Sequence, residues 1–344
     1  MKHKKIIVIG VLAVLCIALI WAFFPRRYDG SFYPMGGIPF KVVAYGKNFI
    51  QFDRIMEAVE NDVAKLEKIF SRYDRTSELS KLNEIAERKP VQVSKGMHRM
   101  IALSKKWYRM SGGAFDPSVA PLVNLWKRAG KSNILPSDDE IAALLKSVGM
   151  DKVDMLDGDE VFFAAKGMKL DFGAIAKGFI VDRSVSSASE AGNESGLIEA
   201  GGDAYIFVED STKIGVQDPT DSAKLMATVS VSAGAVVTSG DYERYVEIDG
   251  KKYSHIVDPR TGYPSDNGVI SVTVVGGAAV DADALATSVM VLGVDGGIGL
   301  VRKLADMHLI IVEKNADDYL VHVSKQLLPI IEWHSNWSDK VSEF

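Results

Sequence analysis

The chain has 344 residues, 47% hydrophobic and 25% charged, enough for one large folded body or two ordinary ones and too apolar for a disordered chain. With a formal net charge of −5 and no long basic block after the first few residues, it lacks the cationic face that nucleic-acid binding requires. Its single cysteine, Cys16, sits in the N-terminal apolar run, which excludes an internal disulfide, a CxxC pair and a thiolate nucleophile in the body, and suits an exported domain that needs no oxidative folding.

Lys2, His3, Lys4 and Lys5 precede an uncharged, almost wholly apolar run from Ile6 to Phe24. At about 1.5 Å per residue this run matches a hydrocarbon core of about 30 Å. Lysines before it and the globular part after it predict a cytoplasmic N-terminus and an exported body. A cleaved signal peptide is the competing reading, but Trp21-Ala22-Phe23-Phe24-Pro25 is bulky where a peptidase needs small side chains. Leu15 likewise precedes Cys16 where lipidation needs a small residue. The expected organisation is an uncleaved anchor over 1–25, a body over 26–325, and an extension over 326–344 that the pattern leaves unplaced.

Arg26 to Gly37 reads as a linker, with Gly30, Pro34, Gly36 and Gly37 as breakers. Phe40 to Tyr45 reads as a strand. Ile55, Val59, Val63, Leu66 and Phe70 recur at helical steps and predict a helix over 50–70; Met97, Ile101, Leu103 and Trp107 predict another from Ser94. Pro117 suits the first turn of a helix carrying Val119, Leu122, Val123 and Trp126, and Ser137-Asp138-Asp139-Glu140 forms a capping box for a short helix to Val148. The period then changes. Strands are expected at 153–156, 161–164, 168–171, 197–200, 204–208, 213–216, 226–231, 235–238, 244–248, 252–257 and 269–275, with Asp157-Gly158 and Asp249-Gly250 as two-residue hairpin turns. Helices follow at 177–190, 282–292 and 297–306, and a strand at 309–312 pairs with 319–323. Helices cluster early and antiparallel strands later, which is an α+β arrangement.

Four junctions combine glycine, small residues and a carboxylate. In Ser111-Gly112-Gly113-Ala114-Phe115-Asp116-Pro117, the paired glycines permit close backbone approach and Asp116 stands at a helix N-cap; read alone, it is a cap. In Leu170-Asp171-Phe172-Gly173-Ala174-Ile175-Ala176-Lys177-Gly178, Lys177 falls in the first turn of a helix, where a cation opposes the helix dipole. Lys177 and the helix N-terminus together would hold a phosphate, and a solvated lysine is the alternative. The run Ser254 to Gly262 packs His255, Asp258, Arg260 and Thr261 around Pro259; a tight turn explains Asp258 and leaves His255 unexplained. In Val280 to Thr287, Asp283 and Thr287 lie one helical turn apart, suited to a hard cation with oxygen ligands or, more plainly, to a dipole-complementing aspartate and a back-bonding threonine.

In this order these stretches resemble the ApbE family of FAD:protein FMN transferases. Met35-Gly36, Phe70-Ser71-Arg72-Tyr73-Asp74, Ser77-Glu78-Leu79, Leu82-Asn83, Gly113 to Pro117, Leu170 to Gly178, Glu199-Ala200-Gly201-Gly202-Asp203, Thr238-Ser239-Gly240, His255 to Gly262 and Asp281 to Thr287 all match, over about residues 35–325. Gly37 departs from the pattern, which usually has threonine there. The resemblance implies an α+β, T-fold-like body of antiparallel sheet and long helices, preceded here by one N-terminal membrane helix. It implies an FAD pocket lined by Met35, Tyr73, Ala114, Phe115, Asp116, Asp171, Lys177 and Ile256. It also implies a Mg²⁺ site formed by the Ala174 carbonyl, Asp283 and Thr287. The implied reaction joins FMN from FAD, the substrate, to a Ser or Thr hydroxyl of an exported acceptor protein and releases AMP. The acceptor would be a subunit of a membrane redox complex or another exported flavoprotein with a Ser/Thr target motif. Lys177 and Asp283 with its Mg²⁺ would offset developing charge, and His255 would take the acceptor's proton. The enzyme would lie on the extracytoplasmic, periplasmic side of the inner membrane, held by residues 6–24. Two other readings keep the same pocket: a metal-dependent FAD pyrophosphatase giving FMN and AMP, and a flavin-binding protein without catalysis.

Overall fold

The computed structural model describes Ile7, Gly10, Val11, Leu12, Val14 and residues 26–241, 245–315 and 318–344. Those first five residues are helical; the rest of the anchor expected over 6–24 lies outside the described residues.

The chain opens with β1 (Arg26–Phe32) and β2 (Phe40–Lys47), then α1 (Phe49–Phe70) and α2 (Glu78–Ile85). Next come β3 (Val91–Gln92), α3 (Lys95–Met110), α4 (Ala120–Ser132), α5 (Asp138–Leu145), β4 (Val153–Leu156) and β5 (Glu160–Phe163). After α6 (Ala176–Glu190) the sheet is built from β6 (Gly196–Ala200), β7 (Asp203–Asp218) and β8 (Asp221–Gly240), with the hairpin β9 (Tyr245–Ile248) and β10 (Lys251–Ser254) following. Finally come β11 (Val269–Gly276), α7 (Ala279–Val301), β12 (Met307–Asn315), β13 (Asp318–Val323), β14 (Ile331–Trp333) and β15 (Val341–Glu343). Among the described residues a ten-stranded sheet runs β1-β2-β6-β7-β8-β11-β12-β13-β15, with β14 paired to β8; only the β13–β15 pairing is parallel. The expected α+β body of antiparallel sheet and long helices is the architecture found.

Alternation along the strands places a core on each face of the large sheet, and a third, smaller cluster packs around Leu122, Trp126 and Ile248. Leu309 and Ile311 of β12 face one core with the long helices, while Ile310 and Val312 face a second core. The C-terminal segment covers that second core through Leu327 and Trp337, so residues 326–344 form part of the sheet and its cover.

Several local expectations change. The 26–37 stretch holds strand β1 rather than a linker throughout: Tyr28 stacks on Phe52 at 5.5 Å, and a Cβ at Gly30 would meet Met56 Sδ at 2.9 Å, so this glycine marks close packing of α1 on β1 and not a break. Residues 168–171 form no strand; Lys169 makes one isolated bridge to Val119, and the Asn83 side chain takes both Leu170 backbone groups, at 2.7 and 2.9 Å, in place of a neighbouring strand. Helix α4 begins at Ala120 with Pro121 in its first turn, so Pro117 lies before it. Helix α2 was not anticipated, since eight residues with only Leu79 and Leu82 buried give too short a period to read. The four expected strands over 204–238 merge into β7 and β8, whose register shifts between Phe207 and Thr212 interrupt the alternation. Asp249-Gly250 is the expected two-residue turn, both residues left-handed, but the β4–β5 loop takes three residues, with Gly158 and Asp159 at φ 74 and 61°.

The helices expected at 282–292 and 297–306 are one helix, α7, kinked where Gly293 adopts φ 76°. The kink frees carbonyls, and Ser265 Oγ and Asn267 Nδ2 both donate to Met290 O, at 2.8 and 3.0 Å. Among the described residues α7 is the one helix long and apolar enough to cross a membrane, yet it lies in the core, with residues such as Ala282, Leu285, Ala286 and Val289 fully buried.

Candidate functional site

Helices α6 and α7 cap each other. Asp182 of α6 accepts the first amides of α7, Ala279 N and Val280 N, both at 2.9 Å. In return Asp283 Oδ2 of α7 accepts Gly178 N at 3.1 Å in the first turn of α6, which carries no side-chain cap of its own. Orphan amides at two helix starts are thus satisfied across the helix pair rather than within each helix. The crossing is close enough that a Cβ at Gly178 would stand 2.2 Å from Ala279 O, so a side chain there is sterically blocked. Burial raises Asp182 to about 6 despite its two amide bonds.

This arrangement fixes Lys177 and Asp283 beside each other at the α6 N-terminus. Lys177 Nζ donates to Asp203 Oδ2 at 2.5 Å. Asp203 is the first residue of β7, fully buried, after a turn in which Gly201 and Gly202 take φ 54 and 90°. Burial pushes Asp203 up to about 7 and raises Asp283 as well; Lys177 pulls both down, and Asp283 adds to the rise at Asp203. Two buried carboxylates therefore share one ammonium; the Thr238 backbone amide also lowers Asp203, yet its Oδ1 lacks a partner at hydrogen-bond geometry. Thr287, half-buried, lies one turn beyond Asp283, and Ala174 lies three residues before Lys177 in the loop into α6.

A second set of contacts surrounds Asp171. Its carboxylate forms an ion pair with Arg72, whose Nη2 donates to Asn124 Oδ1 at 2.9 Å and whose guanidinium lies 5.2 Å from the Tyr73 ring centre. Tyr73 itself is 80% exposed, an aromatic face held out by the cation beside it. Asp171 N donates to Pro117 O at 2.8 Å, which joins this loop to the Ala114-Phe115-Asp116 run. Ala114, Phe115 and Asp116 are all buried. Asp116 Oδ1 accepts Ser118 N and Ser118 Oγ at 2.8 and 2.5 Å, so it closes its own turn rather than capping a helix at residue 117; burial raises it to about 6.

His255, half-buried, opens the loop after β10. In that loop Asp258 forks onto the Arg260 guanidinium at 2.9 and 2.8 Å. Arg260 packs toward Gly113, where a Cβ would meet its Cγ at 3.8 Å, and Trp126 Nε1 donates to Gly262 O at 2.9 Å. Farther along, Ser265 and Asn267 grip α7 one turn past Thr287. Met35, left-handed at φ 53°, joins Ala174 and Ile256 against the main core. The four glycine–carboxylate junctions are therefore linked in space: 111–117 to 171 through Pro117, 111–117 to 255–262 through Arg260, 255–267 to α7, and α7 back to 170–178.

Arg72, Asp182 and Asp203 carry no local sequence signal that marks an individual role. Arg72 and Asp203 stand inside matching motifs but find their partners 99 and 26 residues away, and Asp182 lies on a helix face without a marker. Among the described residues no three His, Cys, Asp or Glu side chains gather to cage a metal.

A sequence profile of the ApbE family matches residues 36–311. A FAD:protein FMN transferase of Klebsiella pneumoniae (strain 342) is 34% identical over 295 residues, covering 85% of this chain and 91% of the relative. One from Treponema pallidum (strain Nichols) is 33% identical over 267 residues, covering 72% and 74%. Among solved structures, the ApbE protein from Thermotoga maritima aligns with a TM-score of 0.75 at 31% identity, over 92% of this chain and 99% of that one. The apo flavinyl transferase ApbE of Pseudomonas stutzeri aligns with a TM-score of 0.78 at 26% identity, over 89% and 98%.

Proposed function

Because this chain belongs to the ApbE family, we propose that it transfers FMN from FAD to a Ser or Thr hydroxyl of an acceptor protein and releases AMP. The observation that carries the reading is the α6 N-terminus, where the buried carboxylates of Asp203 and Asp283 lie beside the half-buried Lys177 ammonium. Helix amides and an ammonium at one point suit the diphosphate of a dinucleotide.

The residues fit a divalent cation. Two buried carboxylates share one ammonium and one carboxylate oxygen is orphaned, so the cluster is short of positive charge. The donors offered by Asp283, Thr287 and the Ala174 carbonyl are hard oxygens, few enough to leave positions for waters and substrate phosphates, as Mg²⁺ prefers. When bound there, Mg²⁺ would supply charge neutralisation at the diphosphate. Asp283 would hold it while its other contact, the Gly178 amide, keeps the carboxylate in register with α6.

In the proposed reaction the acceptor oxygen forms a bond to the FMN phosphorus as the anhydride P–O bond to AMP breaks. Lys177 offsets negative charge that develops on the phosphate oxygens. His255 takes the acceptor's hydroxyl proton, since an imidazole titrates near pH 6.5 and exchanges protons readily at neutral pH. Met35, Tyr73, Ala114, Phe115, Asp116, Asp171, Lys177 and Ile256 form the flavin and nucleotide pocket. Residues 1–25 anchor the enzyme in the cytoplasmic membrane and the body, 26–325 with its extension 326–344, works on the extracytoplasmic side.

The test is covalent flavin in acceptor proteins. A bacterial host deleted for its own ApbE-family enzyme receives this chain or its Asp283→Ala variant, and membrane proteins are scanned in denaturing gels for flavin fluorescence and by intact mass for an added FMN. Fluorescent bands with the wild type alone are expected. FAD consumed to free FMN and AMP with no labelled protein would favour the pyrophosphatase, and FAD bound but unchanged on adding Mg²⁺ would favour a binding protein.

A further inference from the structure

We infer that Asp203 is the positioning residue that holds the Lys177 ammonium in place for phosphate, an inference that rests on the role of Lys177 proposed above. Lys177 leaves the first turn of α6 on a four-carbon stem, and neither helix dipole nor chain entropy favours an ammonium there. Its Nζ is nevertheless fixed 2.5 Å from Asp203 Oδ2. The anchor is rigid: Asp203 starts β7, pairs with Ala200 across the β6–β7 turn, and is followed at once by Ala204 paired to β8. Its side chain is 1% exposed, that of Lys177 28%, so the carboxylate holds the ammonium from the protein side while the lysine remains partly exposed to solvent.

The geometry is poor for stability alone. Buried ion pairs are weak contributors to folding, and a buried carboxylate such as Asp203, with the Thr238 backbone amide nearby but Oδ1 short of a well-formed bond, costs free energy. Asp283 adds a second buried carboxylate that repels the first. A pair serving only the fold would satisfy both oxygens and leave out the like charge. A pair that serves a ligand keeps a surplus of negative charge for an incoming cation and a prepositioned ammonium for an incoming phosphate. Asp203 therefore acts through Lys177, without touching the reacting atoms.

The experiment compares Asp203→Asn, Lys177→Met and the double variant of the full-length chain. Detergent-solubilised membranes of the deleted host serve as acceptor source, and AMP release is measured at varied FAD. Affinity of each protein for Mn²⁺ in the presence of FAD is followed by electron paramagnetic resonance. Asp203→Asn is expected to lower kcat about 10- to 100-fold, the scale of a lost charge-assisted hydrogen bond, with KM for FAD and Mn²⁺ affinity within about threefold of wild type. The double variant should be no slower than Lys177→Met, because both changes remove one ammonium position. Asp203→Ser is carried in parallel, and thermal unfolding shows which variants fold. Multiplicative losses in the double variant, an Asp203→Asn enzyme with wild-type kcat, or a lost Mn²⁺ signal in Asp203→Asn (a metal ligand instead) would each overturn the inference. A wild-type rate for Lys177→Met would instead sink the reading of Lys177 itself.

Discussion

Asp116 carries a testable consequence of its burial. Its carboxyl is raised to about 6 from an ordinary value near 3.8, chiefly because burial penalises the charged form. Between those two values the folded protein binds a proton that the unfolded chain has released. Stability contributed at this position is therefore present below about pH 4 and lost as pH rises toward 6. Asp116→Asn removes the titration. The variant should gain on wild type, on the order of 1–3 kcal/mol, between pH 4.5 and 7.5. Urea unfolding at both pH values checks this; a difference that is flat with pH would show that Asp116 is not raised. The same residue shows what was legible at this scale. Lys177 stands out because a cation in a helix's first turn opposes the dipole, whereas Asp116 and Asp283 read locally as a cap and a dipole-complementing aspartate and gain a role only through the resemblance. Arg72 and Asp203 conflict with nothing nearby, and only the fold brings Asp171 and Lys177 to them.

At the scale of elements, the α6–α7 crossing depends on the absence of one side chain. Gly178→Ala places a Cβ against the Ala279 carbonyl and Val280 Cα, all backbone, so one helix must shift. The expected cost is on the order of 3 kcal/mol, with loss of FAD-dependent activity as Asp283 leaves the Gly178 amide. Gly299→Ala, on an exposed face of α7 with nothing near its Cβ, is the matched control and should be neutral or stabilising by about 0.5–1 kcal/mol. Thermal melts of the two variants decide between close packing and mere helix propensity. The α7 kink gives a second prediction. Asn267→Ala removes the side-chain donor to the Val291 carbonyl, leaves Met290 O with Ser265 Oγ alone, and loosens the tie between the His255 loop and the helix bearing Thr287. A loss of about 1 kcal/mol in stability is expected, with a several-fold fall in kcat/KM, read by denaturant unfolding and AMP release. Long periodic elements such as α1 and α3 were plain in the sequence because a buried residue recurs every turn. The kinked α7 was split because its apolar residues run on all sides, which erases the period, and Gly293 breaks the helical backbone between the two parts.

At the scale of the molecule, the sheet needs covering on both faces. Helices α1, α6 and α7 cover one; the second core, with Met226, Val229, Val312 and Val323, is closed by the chain's last twenty residues. Short pieces with one buried tryptophan carry no period, which is why that segment could not be placed from sequence. Trp337 is the centre of the cover: it is 6% exposed, donates Nε1 to Asp218 Oδ2 at 2.8 Å, and lies 5.9 Å from the Tyr319 ring. Asp218 ends the same strand, β7, that Asp203 begins, so the cover and the Lys177–Asp203 pair sit at opposite ends of one 16-residue strand. Trp337→Ala should cost about 3–5 kcal/mol, since it opens a cavity and leaves the buried Asp218 oxygen without its donor. The Lys177–Asp203–Asp283 cluster lies with α6 and α7, on the face opposite the second core, so FAD affinity of the folded fraction should change little. Urea midpoints paired with FAD titration below the transition separate the two. A drop in FAD affinity without a drop in midpoint would mean that the C-terminal cover reaches the nucleotide site along β7 and does more than seal the second core.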